Sequence, residues 1–108
     1  MNTRKIGRKL ENYFLGCIQE LDSKARLTKN SGANLKKGDL DFSVGNYSFR
    51  VECKKRNTKD ITVKKKVFDK LKSEIPTHVN KIPLYVLENV TEDKYVVLEL
   101  KDFIFLLK

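Results

Sequence analysis

The chain has 108 residues, 40% apolar and 34% charged, with 23 Lys and Arg against 14 Asp and Glu and a formal net charge of +9. One compact domain is the expectation at this length: the apolar content is too high for a disordered basic tail, and the dispersed charge leaves no long apolar run that could span a bilayer. Up to Lys66 there are 17 basic and 7 acidic residues, net +10, and beyond it 6 basic and 7 acidic, net −1, so the whole basic excess lies in the first part.

In chain order, Ile6, Leu10, Phe14, Cys17, Ile18 and Leu21 recur at steps of three and four, which predicts a first helix from about Arg4 to Leu21 with one buried stripe that includes Cys17. The polar stretch SKARLTKNSGANLKKG predicts a short strand around Ala25 to Thr28 and then an exposed loop. From Asp39 to Lys54 the period changes to two. Leu40, Phe42 and Val44 alternate with polar residues, as do Tyr47, Phe49, Val51 and Cys53, with Gly45-Asn46 between the two runs. Gly followed by Asn suits a two-residue type II′ loop, which pairs Val44 with Tyr47 and makes every other opposed pair sum to 91. Leu40 then faces Val51 and Phe42 faces Phe49 on the buried side, while Ser43 meets Ser48, Asp41 meets Arg50 and Asp39 meets Glu52 on the other.

Thr62 is the expected cap of a helix from Val63 to about Ile75, with Val67, Phe68, Leu71 and Ile75 inward and Pro76 closing it. Ile82 to Leu87 is almost continuously apolar and fits a strand covered on both faces; Lys94 to Glu99 fits a further strand after a turn near Thr91 to Asp93. Asp102 is the expected cap of a last short helix, and the apolar Phe103, Ile104, Phe105, Leu106 and Leu107 complete the core or form a dimer contact, core being the favoured reading. The four tyrosines are read as packing residues. The resulting order is αβββαββα: an α/β fold with a mixed central sheet flanked by helices, in a single domain over residues 1–108.

The chemistry open to this chain is narrow. His78 is the only histidine and sits in an expected loop, and Cys17 and Cys53 are 36 residues apart with no Cys-x-x-Cys pair. Histidine-based triads and zinc sites are thereby excluded. The start MNTRKIGRKL is charged with no apolar stretch behind it, so no secretory leader is expected and a cytoplasmic location is. Basic clusters at Arg4, Lys5, Arg8 and Lys9, at Lys36 and Lys37, at Lys54, Lys55 and Arg56, and at Lys64, Lys65 and Lys66, with Lys29 between, suit a polyanion-facing surface as well as a solvated basic one.

Two opposed carboxylates, Asp39 and Glu52, repel one another across a strand pair unless a cation neutralises them, and a hard divalent ion with oxygen ligands is the natural one. Lys54 lies two residues past Glu52 and so on the same face. There an ammonium can stabilise charge that develops on a phosphate. The alternative is an ordinary solvent face of a hairpin. For Asp41, opposite Arg50, a cross-strand ion pair is the better reading.

The stretch SGANLKKGDLDFSVGNYSFRVECKKR resembles the Asp…Glu-x-Lys signature of PD-(D/E)xK nucleases, with Gly38 where the nominal proline stands. Glu11 in the first helix, Ser31 in the loop, the thirteen-residue step from Asp39 to Glu52 and the helix beginning ITVKK extend the similarity, over roughly Ile6 to Phe105, to archaeal-type Holliday junction resolvases. A glutamine common on the following helix is replaced by an apolar residue near Val67. The resemblance implies a restriction-endonuclease-like core in which Asp39, Glu52 and the Cys53 carbonyl bind Mg²⁺, with Mn²⁺ able to substitute. Glu11 would be the helix-one carboxylate, acting directly or through water, Lys54 would assist the attacking water, and Ser31 would approach the scissile phosphate. It implies a homodimeric, structure-selective endodeoxyribonuclease acting on four-way DNA junctions, with Arg4, Lys5, Arg8, Lys9, Lys29, Lys36, Lys37, Lys55, Arg56, Lys64 and Lys65 as candidate phosphate contacts. A related nuclease of forks, flaps or duplex ends, and a non-catalytic DNA-binding module, are the alternatives.

Overall fold

A computed structural model describes residues 3–21, 28–29 and 39–108, with side chains described from Lys9 in the first helix and from Leu40 in the second strand. The elements are α1 (Thr3–Leu21), β1 (Thr28–Lys29), β2 (Asp39–Val44), β3 (Tyr47–Lys55), α2 (Lys65–Ser73), β4 (Ile82–Glu88), β5 (Lys94–Val97) and α3 (Leu100–Leu107). This is the order expected from the sequence. A mixed sheet of β2 to β5, extended at one edge by the two residues of β1, runs in the order β1-β2-β3-β4-β5, antiparallel throughout except that β3 and β4 are parallel. Parallel neighbours need a crossover, and α2 provides it.

The β2–β3 hairpin has the expected register, from Val44↔Tyr47 to Asp39↔Glu52. Its loop works because Gly45 adopts φ +58°, the left-handed value that the first loop residue of a type II′ turn requires and that glycine takes without steric cost. Ser43 and Ser48 meet at 3.0 Å between hydroxyls on one face. On the other, Leu40, Phe42, Phe49, Val51 and Cys53 are buried together with Leu10 of α1 and Ile82, Leu84 and Val86 of β4. Phe42 anchors this layer, stacked on Phe49 at 4.7 Å between centroids and meeting Phe14 edge-on at 5.3 Å. α2 covers the opposite face, where Phe68 packs with Tyr85 and Leu87, and Ile61, Val67 and Val97 close over them. β4 is therefore buried along its whole length, as its unbroken apolar run implied.

Several sequence expectations are corrected. The buried line of α1 runs through Leu10, Phe14 and Ile18 at steps of four, which turns Cys17 out to solvent and leaves Leu21 78% exposed. β1 includes Thr28 but continues to Lys29; positions 25–27 lie outside the described residues. The N-cap of α2 is Lys64, not Thr62: Ile61 packs against the Phe68 cluster, Lys64 has extended backbone, and the first helical carbonyl acceptor is that of Lys64. β5 stops at Val97, and Glu99, not Asp102, caps α3, with Asp102 in its first turn donating its N–H to the Glu99 carbonyl. Tyr13 and Tyr95 are more than half exposed, Tyr13 lying under the Lys94 ammonium at 4.5 Å. Phe103, Ile104, Phe105 and Leu107 are likewise exposed; only Leu106 of that run packs against the core.

Beyond β3 the chain is tied to the end of β4. The buried Asn89 side chain bridges the Lys59 carbonyl at 2.9 Å and the turn that ends at Asp93. Beside it Glu88, 8% exposed, lies between the ammonium groups of Lys55 at 3.3 Å and Lys94 at 2.9 Å. Burial alone would raise its carboxyl pKa; hydrogen bonds and charge from the two lysines outweigh burial and hold it below the ordinary value. A carboxylate more acidic in the folded than in the unfolded chain contributes stability that is present above the unfolded pKa and is lost as pH falls through the folded one. Glu88→Gln is therefore expected to lower the melting temperature at neutral pH and to weaken its fall below about pH 4, in thermal unfolding followed across pH.

Candidate metal and phosphate site

The site is organised by β3, whose alternation sends Glu52 and Lys54 to the α2 face and Cys53 to the α1 face. Counting outward from the two-residue loop, Asp39↔Glu52 is a non-hydrogen-bonded pair, the kind whose Cα atoms approach to about 4.5 Å. The same count turns the N–H and C=O of Cys53 toward the β2 side, one position beyond the last pair of that ladder. Glu52 is largely buried, 12% exposed, and the Lys54 ammonium lies 3.6 Å from its Oε1 while remaining 43% exposed. A half-exposed ammonium next to a shielded carboxylate can reach a substrate from solvent.

α2 forms the other wall. Val67, Lys70, Leu71 and Glu74 line, with Glu52 and Lys54, a pocket of about 80 Å³. These four positions at steps of three and four are one helical face. Lys70 and Glu74 did not emerge from the sequence reading; the spacing was visible, but not that this face would close over Glu52. Glu74 is held there by Arg50, whose Nη2 donates to its Oε2 at 3.3 Å. Arg50 also pairs with Asp41 at 3.8 Å, and Lys81 reaches the other Asp41 oxygen at 3.2 Å. Asp41 is thus an ion-pair residue of the sheet face, as expected from its cross-strand neighbour.

Opposite Glu52 on β4 stands Tyr85, fully buried, its hydroxyl accepting a hydrogen bond from Arg56 Nη2 at 2.9 Å. Burial pushes its phenol pKa up against the lowering influence of Arg56. From the α1 side Glu11, half-buried, acts at the same end of β3: burial, then the charges of Glu11 and Glu52, push the Cys53 thiol up to about 12. That thiol stays protonated and apolar. Glu11 and Glu52 are therefore both within electrostatic range of one residue of β3, from opposite faces of the sheet.

Of the phosphate-contact candidates, Lys9 is exposed on α1, Lys64 is exposed at the start of α2, and Lys65 pairs with Asp69 at 2.7 Å. Lys55 and Arg56 are engaged with Glu88 and Tyr85. The backbones of Arg4, Lys5 and Arg8 lie in α1 and that of Lys29 in β1, while Ser31, Lys36 and Lys37 lie outside the described residues, as does the Asp39 side chain. Among the described residues no three His, Cys, Asp or Glu side chains gather as a metal centre. Mg²⁺ requires fewer, since it commonly takes one or two carboxylates and keeps several waters. The hard oxygen donors opposed at Asp39↔Glu52, with the Cys53 carbonyl beyond them, are of the kind that fits it. No helix among the described residues is long and apolar enough to cross a membrane.

Comparison with known proteins returns no matching family model, no matching curated protein and no matching solved structure. The class defined here is thus architectural: an α/β domain with a mixed sheet flanked by helices, bearing an acid pair and a lysine at the end of its central hairpin.

Proposed function

We propose that the protein is a Mg²⁺-dependent, structure-selective endodeoxyribonuclease of the Holliday junction resolvase type, built on a restriction-endonuclease-like core and acting as a homodimer in the cell interior. The observation that carries this reading is the Asp39↔Glu52 register with Lys54 3.6 Å from Glu52 on one face of β3. The meander β1–β2–β3, the crossover through α2 and the parallel β3–β4 pair support the core.

Asp39, Glu52 and the Cys53 carbonyl would hold the metal, with Glu11 approaching from α1. The ion, when bound, supplies charge stabilisation to the phosphate and lowers the pKa of an attacking water. Lys54 is free to swing from Glu52 toward a phosphate oxygen, where its fixed positive charge opposes the negative charge that grows in the transition state. Its partner Glu52 orients it between turnovers. Lys70, on the α2 wall, adds a second ammonium at the pocket mouth. In-line attack on a phosphodiester then leaves a 5′-phosphate and a 3′-hydroxyl. The net charge of +10 up to Lys66 is suited to backbone phosphates, so binding follows DNA shape more than sequence and weakens steeply with salt.

The test is to incubate the protein with labelled four-way junction, linear duplex and single strand, with Mg²⁺ or EDTA. Paired symmetric nicks in the junction that require Mg²⁺ are expected. Equal cutting of every substrate would keep a nuclease and remove the junction preference, and binding with no cutting would favour a DNA-binding module.

A further inference from the structure

Among the described residues the partly buried cations are Arg50, Lys54, Lys55, Arg56 and Lys81. Arg50 is neutralised by Asp41 and Glu74, Lys54 by Glu52, Lys55 by Glu88 and Lys81 by Asp41. Arg56 is the exception. Its guanidinium donates from Nη2 to the Tyr85 hydroxyl at 2.9 Å and pairs with no carboxylate among the described residues. Withdrawing a charge from water without a counter-charge is unfavourable, and a neutral phenol does not offset it. An arginine carries five N–H donors, and those not given to Tyr85 are neither bonded nor closed off from solvent among the described residues.

The anchor is rigid. Tyr85 is fully buried in the central strand β4, its ring packed with Phe68 and Leu87, so the fork it holds is fixed in place before any ligand arrives. A planar guanidinium held by a neutral partner keeps its charge for an anion and suits two oxygens of one phosphate. Its position selects which phosphate. The Arg56 N–H donates to the Glu88 carbonyl and so carries the β3–β4 pairing one step past Lys55. Lys54 and Arg56 therefore leave the same face of one strand about 6.6 Å apart, a step comparable with that between successive phosphates of a DNA strand. We infer that Arg56 binds the phosphate next to the one that Lys54 faces, on the same DNA strand, with Tyr85 as its positioning residue. A strand that ends at the cut position lacks this contact, so internal cleavage is favoured over trimming of ends.

This deepens the nuclease reading and rests on it for the role of Lys54. The test uses four-way junctions that carry one uncharged methylphosphonate at successive positions of a strand. Their binding in EDTA is compared for a Glu52→Gln parent, in which Lys54 has no carboxylate to return to, and for the same protein with Lys54→Met, Arg56→Gln or Tyr85→Phe added. Two neutralised positions are expected to weaken the parent by about ten-fold each; one should cease to matter in Lys54→Met, the other in Arg56→Gln, and the two should be consecutive. Arg56→Gln should also lower the slope of log affinity against log salt by about one, whereas Tyr85→Phe keeps the charge and the slope but loses several-fold in affinity and most of the sensitivity at the Arg56 phosphate. Undiminished sensitivity at every phosphate in Arg56→Gln, or positions that are not adjacent, would overturn the contact, and an unchanged scan in Tyr85→Phe would remove its positioning role. If Arg56→Gln fails to fold, the Tyr85→Phe scan decides: sensitivity lost next to the Lys54 phosphate supports the contact, and sensitivity retained there removes it. Cleavage of the same junctions in Mg²⁺ by the chain with Glu52 intact separates the two readings. Adjacent coupling without cutting would sink the nuclease and leave the contact standing, and cutting without coupling at Arg56 would do the reverse.

Discussion

Glu52→Gln is expected to abolish Mg²⁺-dependent cleavage, by about 1000-fold or more, corresponding to roughly 4 kcal/mol of lost transition-state stabilisation. The substitution keeps the volume of the side chain and removes only its charge, at a position shielded from solvent and opposed to a second acid. The fold should tolerate it, since the one ion pair lost has a partner, Lys54, that is 43% exposed and readily solvated. Affinity for junction DNA should hold or rise, because a negative charge leaves the site proposed to face phosphate. The measurement is single-turnover cleavage alongside junction binding in EDTA. Retained cleavage would place the chemistry elsewhere, and loss of binding together with cleavage would mean that Glu52 acts through the fold. Lys54→Met should be milder but still costly, about 100-fold, with an unchanged requirement for Mg²⁺.

The hairpin at the heart of that prediction was legible because its information is local. Gly45 at φ +58° sets the loop, period-two alternation sets the face, and a one-residue slip of β2 would turn Leu40 and Phe42 out of the core together. β4 was legible for a similar reason, as seven buried residues in a row admit few other readings. The start of α2 was not. Thr62 has the better intrinsic capping chemistry, but Ile61 is already committed to packing on the Phe68–Tyr85–Leu87 cluster, so tertiary packing delays the helix to Lys64. For α3 the apolar run was plain and its destination was not: periodicity marks a face for burial without saying whether the same chain or another covers it. The site divides along the same line. Glu52 and Lys54 follow from strand alternation, whereas the wall of Lys70 and Glu74 depends on how a helix in another part of the chain docks, and the Arg50–Glu74 bond that fastens it spans 24 residues.

Phe42→Ala is expected to be the most damaging single truncation in the α1 layer, at about 3–5 kcal/mol. Phe42 is 4% exposed and is the only described residue in contact with aromatic rings on both sides, Phe49 across the hairpin and Phe14 on α1. Removing the ring opens a cavity between helix and sheet that neither neighbour can fill without leaving its own rotamer, and it forfeits both ring contacts along with the transfer energy. A domain of this size is stable by only about 5–15 kcal/mol, so a third or more of the total is at stake. Phe42→Leu, which keeps most of the volume, should cost clearly less. Urea unfolding of the three proteins measures the difference. If α1 docks through this ring, hydrogen exchange in the alanine variant will quicken first around Leu10 to Ile18, and because Glu11 lies within that stretch, any contribution of Glu11 to cleavage should fall with it while the Glu52–Lys54 face, held by α2 on the other side of the sheet, keeps its protection.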